Sequence, residues 1–219
     1  MVKKINCHIV SGFLGAGKSK LIERLISYKP MHENWAVLVN EIGHHQYAQA
    51  HALANNVVVK EIYGGCLCCS AGMPFRVALN NLIKESAPQR IFIEPAGFGH
   101  LVNIKKLLQG QFYQPILSIE KTICLLSEEQ LSDEKYRLHD GYLSLIKESD
   151  KLWVNSEKAY SLAKKMAEQY ARPIYLLQQN RQDLTALISD QDDIRRPNSS
   201  PSSIICANSS TKPSLFNAI

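Results

Sequence analysis

The stretch Gly12-Phe13-Leu14-Gly15-Ala16-Gly17-Lys18-Ser19 satisfies every constrained position of the phosphate-cradling pattern G-x-x-x-x-G-K-[ST]. Each residue type has a task in that chemistry. Glycines let the backbone wrap a phosphate with its N–H groups exposed, and the helix that follows adds positive potential at its N-terminus. The Lys18 amine reaches the β and γ phosphates, and the Ser19 hydroxyl can ligate Mg²⁺. A glycine-rich turn that merely precedes Lys-Ser would share the letters, so the context decides. Residues 5–10 read as a buried strand ahead of the loop, and Leu21, Ile22, Leu25 and Ile26 recur at helical spacing behind it. Strand, loop and helix in that order make a nucleoside triphosphate the expected ligand, with Gly12, Gly15, Ala16, Gly17, Lys18 and Ser19 around its phosphates.

A second chemical cluster is Tyr63-Gly64-Gly65-Cys66-Leu67-Cys68-Cys69-Ser70, which holds three of the six cysteines. Disulfides between such near neighbours are strained, and a reducing cytoplasm keeps thiols reduced. Crowded thiolates suit a soft or borderline metal such as Zn²⁺, which also relieves their mutual repulsion. A buried apolar cluster and a redox thiol group are the other readings of the same spacing. Cys7, Cys124 and Cys206 are isolated, and the first two fall in predicted strands, where core packing is expected. His44, His45 and His51 lie in a polar segment and could supply nitrogen ligands or simply be solvated.

The elements that must position these groups alternate. Residues 35–40 and 57–62 read as strands, Phe75, Ala78, Leu79, Leu82 and Ile83 as a helix face, and 90–94 as a short buried strand. Residues 122–126 and 152–154 read as further core strands separated by a charged helical stretch. Ala159, Leu162, Ala163, Met166, Ala167 and Tyr170 mark an amphipathic helix, and 173–177 a final strand. The expected fold is therefore α/β, a P-loop NTPase with a mostly parallel sheet and helices on both faces, its ligands at the carboxyl ends of the strands. Residues 1–190 are expected to form the nucleotide-binding domain with the C-x-C-C motif, and 191–219, rich in Ser, Asn and Pro, an irregular tail. With 219 residues, 45% hydrophobic and 21% charged, the chain can bury one core. No apolar run approaches the roughly 18 residues of a membrane span, so a cytoplasmic protein is expected. The net charge of +5 is spread without a basic block, which speaks against a nucleic-acid partner.

Four motifs, in order and spacing, resemble the CobW-type P-loop GTPases, relatives of the nickel-enzyme maturation GTPases. These are the 12–19 loop, Asn40-Glu41-Ile42-Gly43, Gly64-Gly65-Cys66-Leu67-Cys68-Cys69, and Glu94-Pro95-Ala96-Gly97. The resemblance runs from about residue 5 to residue 188. It implies GTP and GDP as ligands, with ATP as an alternative, together with Mg²⁺ and a metal such as Zn²⁺ held by Cys66, Cys68 and Cys69 and delivered to a client metalloprotein. It places Glu41 in the first switch region near the metal and Mg²⁺ sites. Glu94 matches the acidic residue that ends the Walker B-like strand and holds Mg²⁺ through water. Gly97 matches the glycine whose N–H senses the γ-phosphate. Lys18 and Glu94 are then the catalytic pair, Asn155 a base contact, and a homodimer a candidate assembly.

Departures sharpen the expectations. Val39 stands where the family commonly has a further glutamate. The guanine-reading tetrapeptide N-K-x-D corresponds to Asn155-Ser156-Glu157-Lys158, so a lysine that cannot accept a hydrogen bond replaces the aspartate. Poor discrimination between bases is expected, although Glu157 could substitute after a local shift. Longer members continue into a second domain beyond the point where this chain ends, so either a form limited to the nucleotide-binding domain or a truncated relative is expected. Two functions follow: a slow nucleoside triphosphatase acting as a metallochaperone, or a nucleotide-binding or metal-buffering module without hydrolysis.

Overall fold

The computed structural model describes residues 3–39, 55–62, 72–96 and 101–177, together with 184, 187 and 188. Among the described residues eight strands form one sheet: β1 (Ile5–Gly12), β2 (Trp35–Val39), β3 (Val57–Glu61), β4 (Arg90–Glu94), β5 (Leu117–Ile119), β6 (Ile123–Leu126), β7 (Lys151–Val154) and β8 (Ile174–Leu176). The order across the sheet is β3-β2-β4-β1-β6-β7-β8, and every pairing is parallel. β5 and β6 run end to end beside β1, Cys7 pairing with Ile119 and Val10 with Ile123. The strands predicted from the apolar runs are present to within one or two residues at each end.

Side chains along the strands alternate between two cores, because successive residues of a strand face opposite sides. Cys7, Ile9, Ile91, Ile93, Leu152 and Val154 pack on one side, with Phe75, Leu79 and Leu82 of α2 (Gly72–Ser86) and Leu101, Ile104 and Leu108 of α3 (Leu101–Leu108). Val10, Phe92 and Trp153 pack on the other, with Leu21, Ile22, Leu25 and Ile26 of α1 (Lys18–Ile26) and with Leu184 and Leu187. This is the expected doubly covered parallel sheet.

Between β6 and β7 lie three short helices: α4 (Glu128–Ser132), α5 (Glu134–Arg137) and α6 (Asp140–Glu148). Each begins at a side chain that accepts from a first-turn amide: Ser127 from Gln130, Asp133 from Lys135 and His139 from Gly141. The charged stretch read as a single helical region is thus restarted at each cap. α7 (Glu157–Gln169) is capped by Ser156, whose Oγ accepts from the Ala159 N–H at 3.0 Å. Its buried residues Ala159, Ala163 and Ala167 fall on one stripe, so small side chains bring the helix close to the sheet. Among the described residues no helix is long and apolar enough to cross a membrane.

Cys7 and Cys124 are buried free thiols. Burial pushes both up to about 12, so they stay protonated core groups, as their strand positions predict. α3 and β5 went unanticipated. β5 has only three residues, too few for a period-two pattern to register, and α3 is a two-turn helix with just three buried positions.

Candidate functional site

The loop of residues 12–19 leaves the carboxyl end of the central strand β1 and enters α1. Gly12 has φ +146°, and a Cβ there would lie 2.7 Å from the Leu125 carbonyl oxygen, so only glycine lets β6 come this close. Gly15 and Gly17 also have positive φ, at +80° and +93°. Gly17 is the N-cap of α1 and provides no side-chain acceptor for the first-turn amides. A helix start of that kind offers its N–H groups and dipole to an anion.

Lys18 is buried, and its Nζ donates to the Phe13 carbonyl at 3.2 Å, folding the amine back across the loop. The half-buried Ser19 donates from Oγ to Glu94 Oε1 at 2.9 Å. Glu94 ends β4, the strand next to β1, and is only 2% exposed. The first turn of α1 is thereby tied to the neighbouring strand end by two oxygen-bearing side chains. Behind them a cavity of about 10 Å³, lined by Ser19, Glu94, Ile22, Ile26, Val37, Val39 and Val59, has room for about one water.

A larger cleft of about 440 Å³ opens on the other flank of the loop. Ala16, Gly17 and the Lys20, Glu23 and Arg24 face of α1 line one wall, and Leu125, Asn155 and Leu177 the other. Its size lies within the range of small-molecule sites. Asn155 directly follows β7, whose end lies beside that of β6, so parallel strand ends bring it to the same rim as the loop.

Lys158 and Ser156 turn to a partner that the sequence reading did not name. Glu128, the first residue of α4, accepts from Ser156 Oγ at 2.7 Å and from Lys158 Nζ at 3.0 Å. The Ser156 bond, then Lys158, holds the Glu128 carboxyl below the usual carboxylate range. Gln130 of the same helix donates from Nε2 to the Leu14 carbonyl at 2.7 Å. Phe13 is bounded by Tyr136 at 5.2 Å and by His139 and Tyr142 at 6.0 Å between ring centres. The segment between β6 and β7 therefore walls the loop from outside.

Of the residues singled out from sequence, Gly12, Gly15, Ala16, Gly17, Lys18, Ser19, Glu94 and Asn155 converge at the carboxyl edge of the sheet. Glu41, His44, His45, His51, Cys66, Cys68, Cys69, Gly97 and Cys206 lie outside the described residues. The segments carrying Glu41 and Gly97 follow the ends of β2 and β4, paired neighbours in the sheet.

Comparison with known proteins agrees with this layout. Residues 6–182 match the family described as CobW/HypB/UreG, nucleotide-binding domain. The chain is 37% identical over 148 residues to the zinc chaperone YeiR of Escherichia coli (strain K12), an alignment that covers 68% of this chain and 45% of that one. It is 28% identical over 128 residues to the zinc chaperone CobW of Sinorhizobium sp, covering 55% and 34% respectively. The chain thus spans less than half the length of either protein. The crystal structure of HypB from Helicobacter pylori in complex with nickel shares the fold, with a TM-score of 0.61 at 16% identity over 85% of each chain. Because the family match runs from β1 past β8 and takes in the glycine-rich loop, Glu94 and Asn155, the chain belongs to the CobW/HypB/UreG nucleotide-binding domain family.

Proposed function

We propose that this chain binds a Mg²⁺–nucleoside triphosphate in the 12–19 loop, hydrolyses it slowly, and uses the nucleotide state to govern a zinc or similar transition-metal ion destined for a client metalloprotein in the cytoplasm. The observation that carries the nucleotide part is the hydrogen bond of 2.9 Å between Ser19 and Glu94, set under an α1 start that no side chain caps. Two oxygen donors of this kind suit a hard cation, and Mg²⁺ bound by Ser19, and by Glu94 through water, would offset the charge of the phosphates. Lys18 is assigned to the β and γ phosphates, Gly97 to sensing the γ-phosphate, and Asn155 to the base. Cys66, Cys68 and Cys69 are assigned to the transition metal, with Glu41 beside them. Kinship with a protein named a zinc chaperone, 37% identical, supports zinc as the cargo.

We assign this work to residues 1–190, with a homodimer as one assembly that would let two such sites cooperate. The boundary is supported by Arg90, which donates to the Ile188 carbonyl at 2.9 Å and so fastens the end of that unit to β4.

Titration with a fluorescent GTP analogue tests the phosphate site. Loss of charge-assisted hydrogen bonds in Lys18→Ala should weaken binding about 100-fold. Unchanged affinity would remove the assignment. Phosphate release measured with GTP and with ATP, with and without Zn²⁺, separates the slow hydrolase from the second reading, a binding and metal-buffering module. That reading draws its support from Lys158, which is committed to Glu128 rather than replaced by a base-reading carboxylate.

A further inference from the structure

We infer that Gln130 is a positioning residue for the phosphate site: by holding the Leu14 carbonyl it sets the Leu14–Gly15 peptide so that the Gly15 N–H turns away from α4, as a donor to a phosphate oxygen. The inference rests on the reading of the 12–19 loop as a phosphate cradle.

The hydrogen bond at 2.7 Å identifies the amide nitrogen, since a carbonyl only accepts and the other end of the glutamine side chain cannot donate. The described backbone holds no cis peptide, and in a planar trans unit the C=O and N–H point to opposite sides. Fixing the Leu14 oxygen toward α4 therefore fixes the Gly15 N–H away from it. That orientation needs a tether. Gly15, at φ +80°, has no Cβ to restrict rotation of the peptide before it, and the Leu14 side chain is 61% exposed and gives little packing.

α4 is a firm base for such a tether. Ser127 caps it, Leu131 is fully buried, and Glu128 bonds both Ser156 and Lys158 at the start of α7. Gln130 is itself 5% exposed, and its Oε1 is buried without a partner in the structure. An unpaired buried acceptor is unfavourable, and an apolar side chain of similar shape would avoid it. Packing therefore does not account for the amide, whereas the bond to Leu14 does.

The test is Mg²⁺-dependent titration of the full chain with fluorescent GTP and ATP analogues, alongside thermal unfolding, for wild type, Lys18→Ala, Gln130→Met and Gln130→Glu. Gln130→Met keeps the shape, removes the donor and relieves the orphan acceptor. It should melt no lower than wild type yet bind both nucleotides about tenfold more weakly, by the same factor, because the brace acts on the phosphates. Gln130→Glu should bind as weakly near neutral pH and recover relative to wild type on acidification, since only the protonated carboxyl can donate to Leu14. Wild-type affinity in Gln130→Met while Lys18→Ala loses binding would overturn the inference alone. An affinity loss matched by a loss of stability would also overturn it, marking Gln130 as a packing residue. Wild type binding neither nucleotide would overturn the cradle reading and this inference together.

Discussion

Lys158 and Glu128 show how one substitution in a short motif acquires meaning from a residue 30 positions away. The missing carboxylate is readable in Asn155-Ser156-Glu157-Lys158. Its consequence is not, because Glu128 sits on another element and reaches this segment only when α4 and α7 pack. With Lys158 paired and Asn155 in the cleft, GTP and ATP should compete with affinities within about tenfold of each other. Lys158→Asp, combined with Glu128→Gln to avoid placing two carboxylates together, should move the ratio toward GTP by about tenfold in the same competition assay. A wild-type preference for GTP beyond about a thousandfold would show that another residue reads guanine. Gln130 carried a faint signal in advance. Ser127-Glu128-Glu129-Gln130 has the S-x-x-Q form of a capping box, and Ser127 does cap α4. The Gln130 side chain goes to Leu14 instead of back to the Ser127 amide, a choice that depends on where the loop lies in space.

At the scale of elements, β1, the glycine loop and α1 were legible because their signals agree: an apolar run, a constrained motif and helical spacing all point to one unit. α7 was legible for a similar reason, its small and apolar residues falling on one face. The three helices of the β6–β7 connection were not separable, since each is too short for a period of 3.6 residues to establish itself and their boundaries rest on single caps. The close packing of the loop on β6 gives a direct test. Gly12→Ala must both adopt φ near +146° and push a methyl to 2.7 Å from the Leu125 oxygen, so one of the two chains has to move. The variant should lose about 3 kcal/mol or more in urea unfolding. A loss under about 0.5 kcal/mol would mean that the loop and β6 are not held this tightly. Ser156→Ala removes a helix cap and a bond to Glu128 at once, and should cost about 1–2 kcal/mol in the same measurement.

The described candidate residues lie along one edge of a sheet whose two faces are both buried, and burial within that sheet makes stability sensitive to acid. His8 lies inside the sheet, stacked on Phe92 at 5.2 Å and bonded to Arg90, which also stands 3.7 Å from Glu33. Burial, and then the Arg90 charge, push its pKa from 6.5 down to about 3. Between those values the unfolded chain binds a proton that the folded chain refuses, so stability is complete above about pH 6.5 and falls as the pH drops. From about pH 7 to about pH 5 this group alone should remove about 2 kcal/mol, a loss that His8→Gln should largely abolish in urea unfolding at the two pH values. The alternation of strands and helices made the architecture legible, whereas the order β3-β2-β4-β1-β6-β7-β8 arises from crossover connections that local pattern does not encode. The proposed function makes nucleotide and metal share one switch. If Cys66, Cys68 and Cys69 hold the ion, and the segments carrying Glu41 and Gly97 respond to the γ-phosphate, coupling must be reciprocal. Calorimetric titration of Zn²⁺ into the protein loaded with GDP and with a non-hydrolysable GTP analogue, repeated on the Cys66→Ser/Cys68→Ser/Cys69→Ser variant, measures it directly. One ion per chain is expected, with an affinity that differs between the two nucleotide states by about fivefold or more, and with loss of that site in the variant. Equal affinity in both nucleotide states, or a variant that binds zinc as tightly as wild type, would contradict it.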